Sequence, residues 1–124
     1  MRRIAVTGGR YFGEVDPDGV AVDVAEDLRK VLAQGPFVLI SGGCPTGADS
    51  IAKMAAHLVG VEVELHPAAW TVHGRAAGPI RNAEMVASGL DGLILYPGGA
   101  GTEDMRTRCI AAGVPIWEPM KTRG

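Results

Sequence analysis

The chain is 124 residues long, with 47% hydrophobic and 21% charged residues and a formal net charge of −2. That length suits one hydrophobic core, and the balance is that of an ordinary globular protein, which sets aside disordered and membrane-spanning classes. With 12 basic against 14 acidic side chains there is no basic footprint for a polyanionic duplex, so nucleic acid is disfavoured as a partner.

Met1-Arg2-Arg3 leads directly into the apolar run Ile4-Ala5-Val6, which Thr7-Gly8-Gly9 closes in the manner of a buried strand ending in a turn. This start is unlike a signal sequence, and no apolar stretch approaches the roughly 20 residues that cross a bilayer, so no membrane partner and a cytoplasmic location are expected. Asp16-Pro17-Asp18 then sets a capping carboxylate and a first-turn proline ahead of Val20, Val24, Leu28, Val31 and Leu32, which recur on one helical face up to Gly35-Pro36. Phe37-Val38-Leu39-Ile40 is continuous, as in a parallel strand covered on both faces, and empties into Ser41-Gly42-Gly43-Cys44-Pro45-Thr46-Gly47. A second helix puts Ala48, Ile51, Ala52, Ala55 and Leu58 on one side and stops at Gly60. Val61, Val63 and Leu65 predict a third strand. The stretch from His66 to Pro79, holding Trp70, His73 and Arg75, reads as an irregular loop of a length often tied to function. Beyond it come a helix over Ile80 to Ser88, a strand over Leu93 to Tyr96, a helix over Thr102 to Ala112, and an edge strand over Val114 to Trp117. The tail from Lys121 to Gly124 is free to fray.

This β-α-β-α-β-α-β-α-β order predicts a single Rossmann-like three-layer α/β domain over residues 1–124, with a mostly parallel five-stranded sheet and no internal repeat or linker. Such sheets bind ligands outside the carboxyl ends of their strands. Glycine, with 18 copies, is the outlier of the composition, and its pairs Gly8-Gly9, Gly42-Gly43 and Gly98-Gly99 all fall at those ends.

Backbone N–H groups released by a glycine turn at a helix start make a ready anion site, with phosphate the obvious candidate. The spacing from Gly42 to Gly47 imitates the opening of a P-loop, yet Ala48 and Asp49 stand where Lys and Ser/Thr are required. Nor does Thr7-Gly8-Gly9-Arg10 spell the dinucleotide fingerprint. His57, His66 and His73 lack metal-ligand spacing, so neither metal nor cofactor is expected. Cys44 and Cys109 read as free thiols.

Several spaced motifs together resemble a known family. Pro97-Gly98-Gly99-Ala100-Gly101-Thr102 matches the PGGxGT signature of the Lonely Guy (LOG) phosphoribohydrolases and the wider SLOG superfamily, and Arg81-Asn82-Ala83-Glu84-Met85 resembles their RKxxM segment. Thr7-Gly8-Gly9-Arg10, the segment from Gly42 to Asp49 and the segment from His73 to Asn82 look like the YspA/cpYpsA-related branch. The resemblance implies a Rossmann-like fold, a homodimer or higher homo-oligomer, and a ligand derived from a nucleotide. It also sets Arg81 beside a scissile N-glycosidic bond, with Gly98, Gly99, Gly101 and Thr102 as phosphate cradle. The glutamate of the longer PGGxGTxxE pattern is absent: Met105 stands there, with Glu103 and Asp104 displaced toward the helix start. A one-residue shift turns a side chain by about 100° around a helix, so Asp104 is not a simple substitute.

The expected ligand-binding set is therefore Gly8, Gly9, Arg10 and Tyr11 of the first turn and Gly42, Gly43, Gly47 and Asp49 of the second. Arg75, Arg81 and Asn82 join it from the middle of the chain, and Pro97, Gly98, Gly99, Gly101, Thr102 and Glu103 from the last turn. The arginines suit bidentate phosphate contact, and Tyr11, Phe12 or Trp70 could stack on a base. Loss of the glutamate favours a sensing or carrier module that binds ribose and phosphate. The alternative is a LOG-like N-glycoside hydrolase acting on nucleoside monophosphates, with Arg81 and Asp104 as its catalytic pair. Single-strand binding, suggested by DNA-uptake relatives in the superfamily, is opposed by the composition.

Overall fold

A computed structural model describes residues 1–122. Five strands, β1 (Arg2–Thr7), β2 (Phe37–Ser41), β3 (Val63–Leu65), β4 (Gly92–Leu95) and β5 (Ile116–Trp117), form one sheet in the order β3-β2-β1-β4-β5. Every pairing is parallel; Ile4 on β1, for example, faces Leu39 on β2 and Gly92 on β4. The chain builds outward from β1 to β3, crosses back, and builds outward again through β4 and β5. The strand order therefore reverses between β1 and β4, where a crevice opens at the carboxyl ends of an α/β sheet. The expected Rossmann-like α/β class is borne out, with an all-parallel sheet.

The helices are α1 (Pro17–Leu32), α2 (Gly47–Val59), α3 (Trp70–His73), α4 (Ala77–Ala87), α5 (Ala100–Ala111) and α6 (Pro119–Thr122), with a 3₁₀ turn over Gly74–Ala76. Alternation along β1 sends Ile4 and Val6 to one face and Ala5 to the other. The first two pack with Leu39 and Ile94 under α1 and α2, and Ala5 packs with Ile40, Leu93 and Leu95 against Met85 of α4 and Met105 and Cys109 of α5. α1 starts as its sequence dictates: Pro17 occupies the first turn and the Asp16 carboxylate accepts from the Gly19 amide at 3.1 Å. One polar contact under α1 has no periodic signal: Asp27, 1% exposed, accepts from the Tyr96 hydroxyl at 2.7 Å.

Four local expectations change. Leu58 is 56% exposed, because Val59, four residues after Ala55, takes the next place on the stripe that α2 turns to the core. β3 starts at Val63, since the Val61 amide donates to Ala56 at the end of α2 instead (2.9 Å). The stretch from His66 to Pro79 is not irregular throughout: it holds α3, the 3₁₀ turn and the start of α4. Pro79 is accommodated there because first-turn amides need no intrahelical partner. α5 likewise begins earlier than expected, at Ala100, with Gly101 inside its first turn. At the end of the chain, Lys121 and Thr122 belong to α6, and Arg123 and Gly124, part of the tail expected to fray, lie outside the described residues. No helix among the described residues is long and apolar enough to cross a membrane.

Candidate ligand cleft at the carboxyl rim

The three glycine turns are stitched together by backbone contacts. The Gly9 amide donates to the Pro97 carbonyl at 2.8 Å, and the Gly9 carbonyl accepts from the Ala48 amide at 3.0 Å, so the turn after β1 is pinned between the start of α2 and the turn after β4. Glycine is required where these turns touch: a β-carbon on Gly98 would stand 2.6 Å from the Gly9 amide nitrogen and run into the Thr102 hydroxyl.

Arg81 and Asn82, on α4, bind the second turn to the third. Arg81 Nη1 donates to the Gly42 carbonyl at 2.8 Å and its Nε to Asn82 Oδ1 at 3.1 Å. The guanidinium lies so close to Gly42 that any β-carbon there would displace it. Asn82, 5% exposed, donates through Nδ2 to the Gly101 carbonyl at 3.2 Å and to Asp104 Oδ2 at 3.0 Å. Asp104 Oδ2 also accepts from Arg108 Nε at 2.9 Å. Burial pulls the Asp104 carboxyl upward, but the hydrogen bonds from Arg108 and Asn82 and the Arg108 charge outweigh it and hold the group below its ordinary value.

The turns enclose a cleft of about 960 Å³. From the first turn it is lined by Gly8, Gly9, Arg10 and Tyr11; from the second by Gly42, Gly43 and Asp49. Arg81 and Asn82 line it from α4, and Pro97, Gly98, Gly99, Gly101 and Thr102 from the turn into α5. Four expected residues are not among the lining. Gly47 backs onto Gly9 and Arg10 from behind. Arg75 is exposed in the 3₁₀ turn, Glu103 pairs with Arg106 at 3.2 Å, and Asp104 is held as described.

Sequence reasoning left Pro67, Ala68, Gly78, Met85 and Met105 out of the site, although all line the cleft. Helical spacing offers a signal for two of them: Met85 is four residues beyond Arg81 and Met105 three beyond Thr102, each on the same helix face as a polar site residue. No periodic signal marks Pro67 and Ala68.

The charged side chains lining the cleft are Arg10, Arg81 and Asp49. Asp49 Oδ2 accepts from the Cys44 amide at 3.0 Å. Burial pushes its carboxyl above the usual range, opposed by the Cys44 amide, the Arg81 charge and the Ser41 hydroxyl. The α5 start, with Gly99 at its N-cap, has no side-chain cap, so its first-turn amides and the positive end of its dipole are left for another acceptor. Two cations, one carboxylate and an uncapped helix start suit an anion that carries hydroxyl groups. Among the described residues no group of three or more His, Cys, Asp and Glu side chains is placed to hold a metal.

A family model described as the YspA, cpYpsA-related SLOG family matches residues 2–73, more than half of the chain. The chain belongs to the YspA/cpYpsA-related SLOG family. The match ends before Arg81 and the turn from Pro97 to Thr102, so the second half of the cleft rests on other likenesses. This SLOG chain is 34% identical over 125 aligned residues to the Gene 61 protein of Mycobacterium phage D29, covering 94% of each. In fold it is similar to the X-ray structure of TM1055, with a TM-score of 0.69 and 16% identity, over 94% of this chain and 72% of that one. Met105, where the motif resemblance expects a glutamate, is 0% exposed, and its thioether can neither donate nor take a proton.

Proposed function

We propose that this chain binds a nucleotide or nucleotide-derived small molecule through its ribose and phosphate, as a sensing or carrier module of the cytoplasm, and works as a homodimer or higher homo-oligomer. The observation that carries the reading is the convergence of three glycine turns, Arg81 and the uncapped start of α5 on one cleft. In this reading phosphate takes the first-turn amides of α5 and the Arg81 guanidinium, with Arg10 on the opposite turn. The Asp49 carboxylate, beyond the Cys44 amide and the Ser41 hydroxyl that it already engages, accepts from ribose hydroxyls, while Gly47 and Asn82 hold the turns in place. Asp104 acts only through Asn82, which its carboxylate orients toward Arg81. Arg75 and Glu103 serve at the outer edge.

One observation favours the second reading, an N-glycoside hydrolase acting on nucleoside monophosphates. Asp49 lies in the cleft close enough to feel the Arg81 charge, and its burial favours the protonated form. In that reading the carboxyl gives its proton to the departing base as the N-glycosidic bond breaks, water adds to the anomeric carbon and releases a proton, and Arg81 stabilises the charge that develops on the leaving side.

Calorimetric titration with AMP and related monophosphates, combined with chromatography for released base, separates the two. Binding without released base is expected, weakened at least tenfold in Arg81→Ala, the order lost with one charge-assisted pair. Steady release of base, abolished in Arg81→Ala, establishes the hydrolase instead. Failure of every monophosphate to bind refutes both readings.

A further inference from the structure

Two aromatic side chains at the mouth of the cleft are unaccounted for by phosphate and ribose. Tyr11, from the turn after β1, is 71% exposed; Trp70, which opens α3 beyond β3, is 56% exposed; both line the cleft. A folded chain ordinarily buries its large rings, and here Phe12, next to Tyr11, does so by stacking on Tyr96 with ring centroids 4.8 Å apart. Tyr11 and Trp70 have no such ring partner among the described residues. Trp70 is nonetheless placed, because its Cη2 atom lies 3.6 Å from where a β-carbon would sit on Gly78, so the bare start of α4 supports one edge of the indole. Neither α3 nor the 3₁₀ turn buries a single residue, so this short segment contributes almost nothing to the core. Its one large ring is turned to the cleft.

We propose that Trp70 and Tyr11 form a clamp for a planar heteroaromatic ring, the nucleobase of the bound molecule. The clamp rests on the nucleotide-binding reading above and names the part of the ligand which that reading left open. Tyr11 and Trp70 follow β1 and β3, the strands on either side of β2, so the two rings reach the cleft from separate turns that flank the one after β2. The remaining lining near Trp70 comes from Pro67, Ala68 and Gly78, which have no side-chain donor or acceptor to read a base edge. Selection at this end of the cleft therefore follows stacking area, and purines bind more tightly than pyrimidines.

The test compares AMP, CMP, adenosine and ribose 5-phosphate on the intact chain and on Trp70→Ala, Trp70→Phe and Tyr11→Ala, with circular dichroism confirming that each variant is folded. Stacking lost at one ring weakens base binding about tenfold or more. Trp70→Ala is expected to lower affinity for AMP and adenosine by that factor and leave ribose 5-phosphate unchanged. Trp70→Phe keeps most of the AMP affinity, and CMP binds more weakly than AMP to the intact chain. If ribose 5-phosphate binds as tightly as AMP and Trp70→Ala alters neither, the clamp is refuted while the phosphate and ribose reading stands. If none of the four binds, both are refuted. Tighter binding of a short single-stranded oligonucleotide than of AMP overturns the small-molecule clamp in favour of a nucleic-acid platform.

Discussion

At Gly98 the requirement for glycine comes from contact and not from a turn conformation. A β-carbon there meets the Gly9 amide and the Thr102 side chain at the junction of the first and third turns. Gly98→Ala must therefore separate two loops that are hydrogen-bonded to each other through Gly9 and Pro97. Overpacking of this kind costs about 1–3 kcal/mol, to be read as a lower urea midpoint at unchanged slope. An unchanged midpoint would mean the turns have slack that the distances deny. The glycine pairs stand out in the sequence, but which atom each one avoids does not. Gly42 makes room for a guanidinium that lies 39 positions further along the chain.

Among the elements, α5 is the one whose sequence says least about its packing. It buries Thr102, Met105 and Cys109 and carries Glu103, Asp104, Arg106 and Arg108 along the rest of its surface. Arg106 reaches past the helix to Glu118, beyond β5, with Nη2 to Oε1 at 2.8 Å, and so ties α5 to the edge of the sheet. That pair, aided by Lys121 and opposed by burial, holds the Glu118 carboxyl down at about 2. Arg3 of β1, reaching across β2, and His66 do the same for Glu64 of β3, also to about 2. Carboxyls depressed on folding contribute stability above their ordinary value of 4.5 and lose it as pH falls toward 2. Urea midpoints should drop across that interval, and less steeply in Glu118→Gln. An identical acid profile in that variant would show the pair to be an idle surface contact. The starts of α4 and α5 lie three and two residues earlier than expected, and in α4 the missing donor of Pro79, which would break a helix interior, is harmless in a first turn.

For the whole molecule, the proposal of a homo-oligomer is read from solution mass. Light scattering across a dilution series should give at least twice the chain mass of 12.9 kDa; a single species at that mass at every concentration would refute it. The cleft illustrates how far a linear reading carries. Alternating strand and helix patterns, continuous apolar runs at β2 and β4, and glycine pairs after β1, β2 and β4 fix a parallel sheet and the rim that holds a ligand. These signals are local, each contained within about ten residues, and so they are legible in one chain. The placing of Trp70 at the mouth of the cleft and of the buried Met85 and Met105 beneath it, the hydrogen bond that ties Asp104 to Asn82, and the reach of the Arg81 charge to Asp49 are not local. Each depends on the order β3-β2-β1-β4-β5, which brings the ends of distant strands within hydrogen-bond reach. The sequence by itself determined the fold class and the chemistry of the turns, because backbone preference and periodicity act over neighbouring residues. Which side chains face one another across the cleft was decided only by tertiary structure, because those distances are set by sheet order and helix packing.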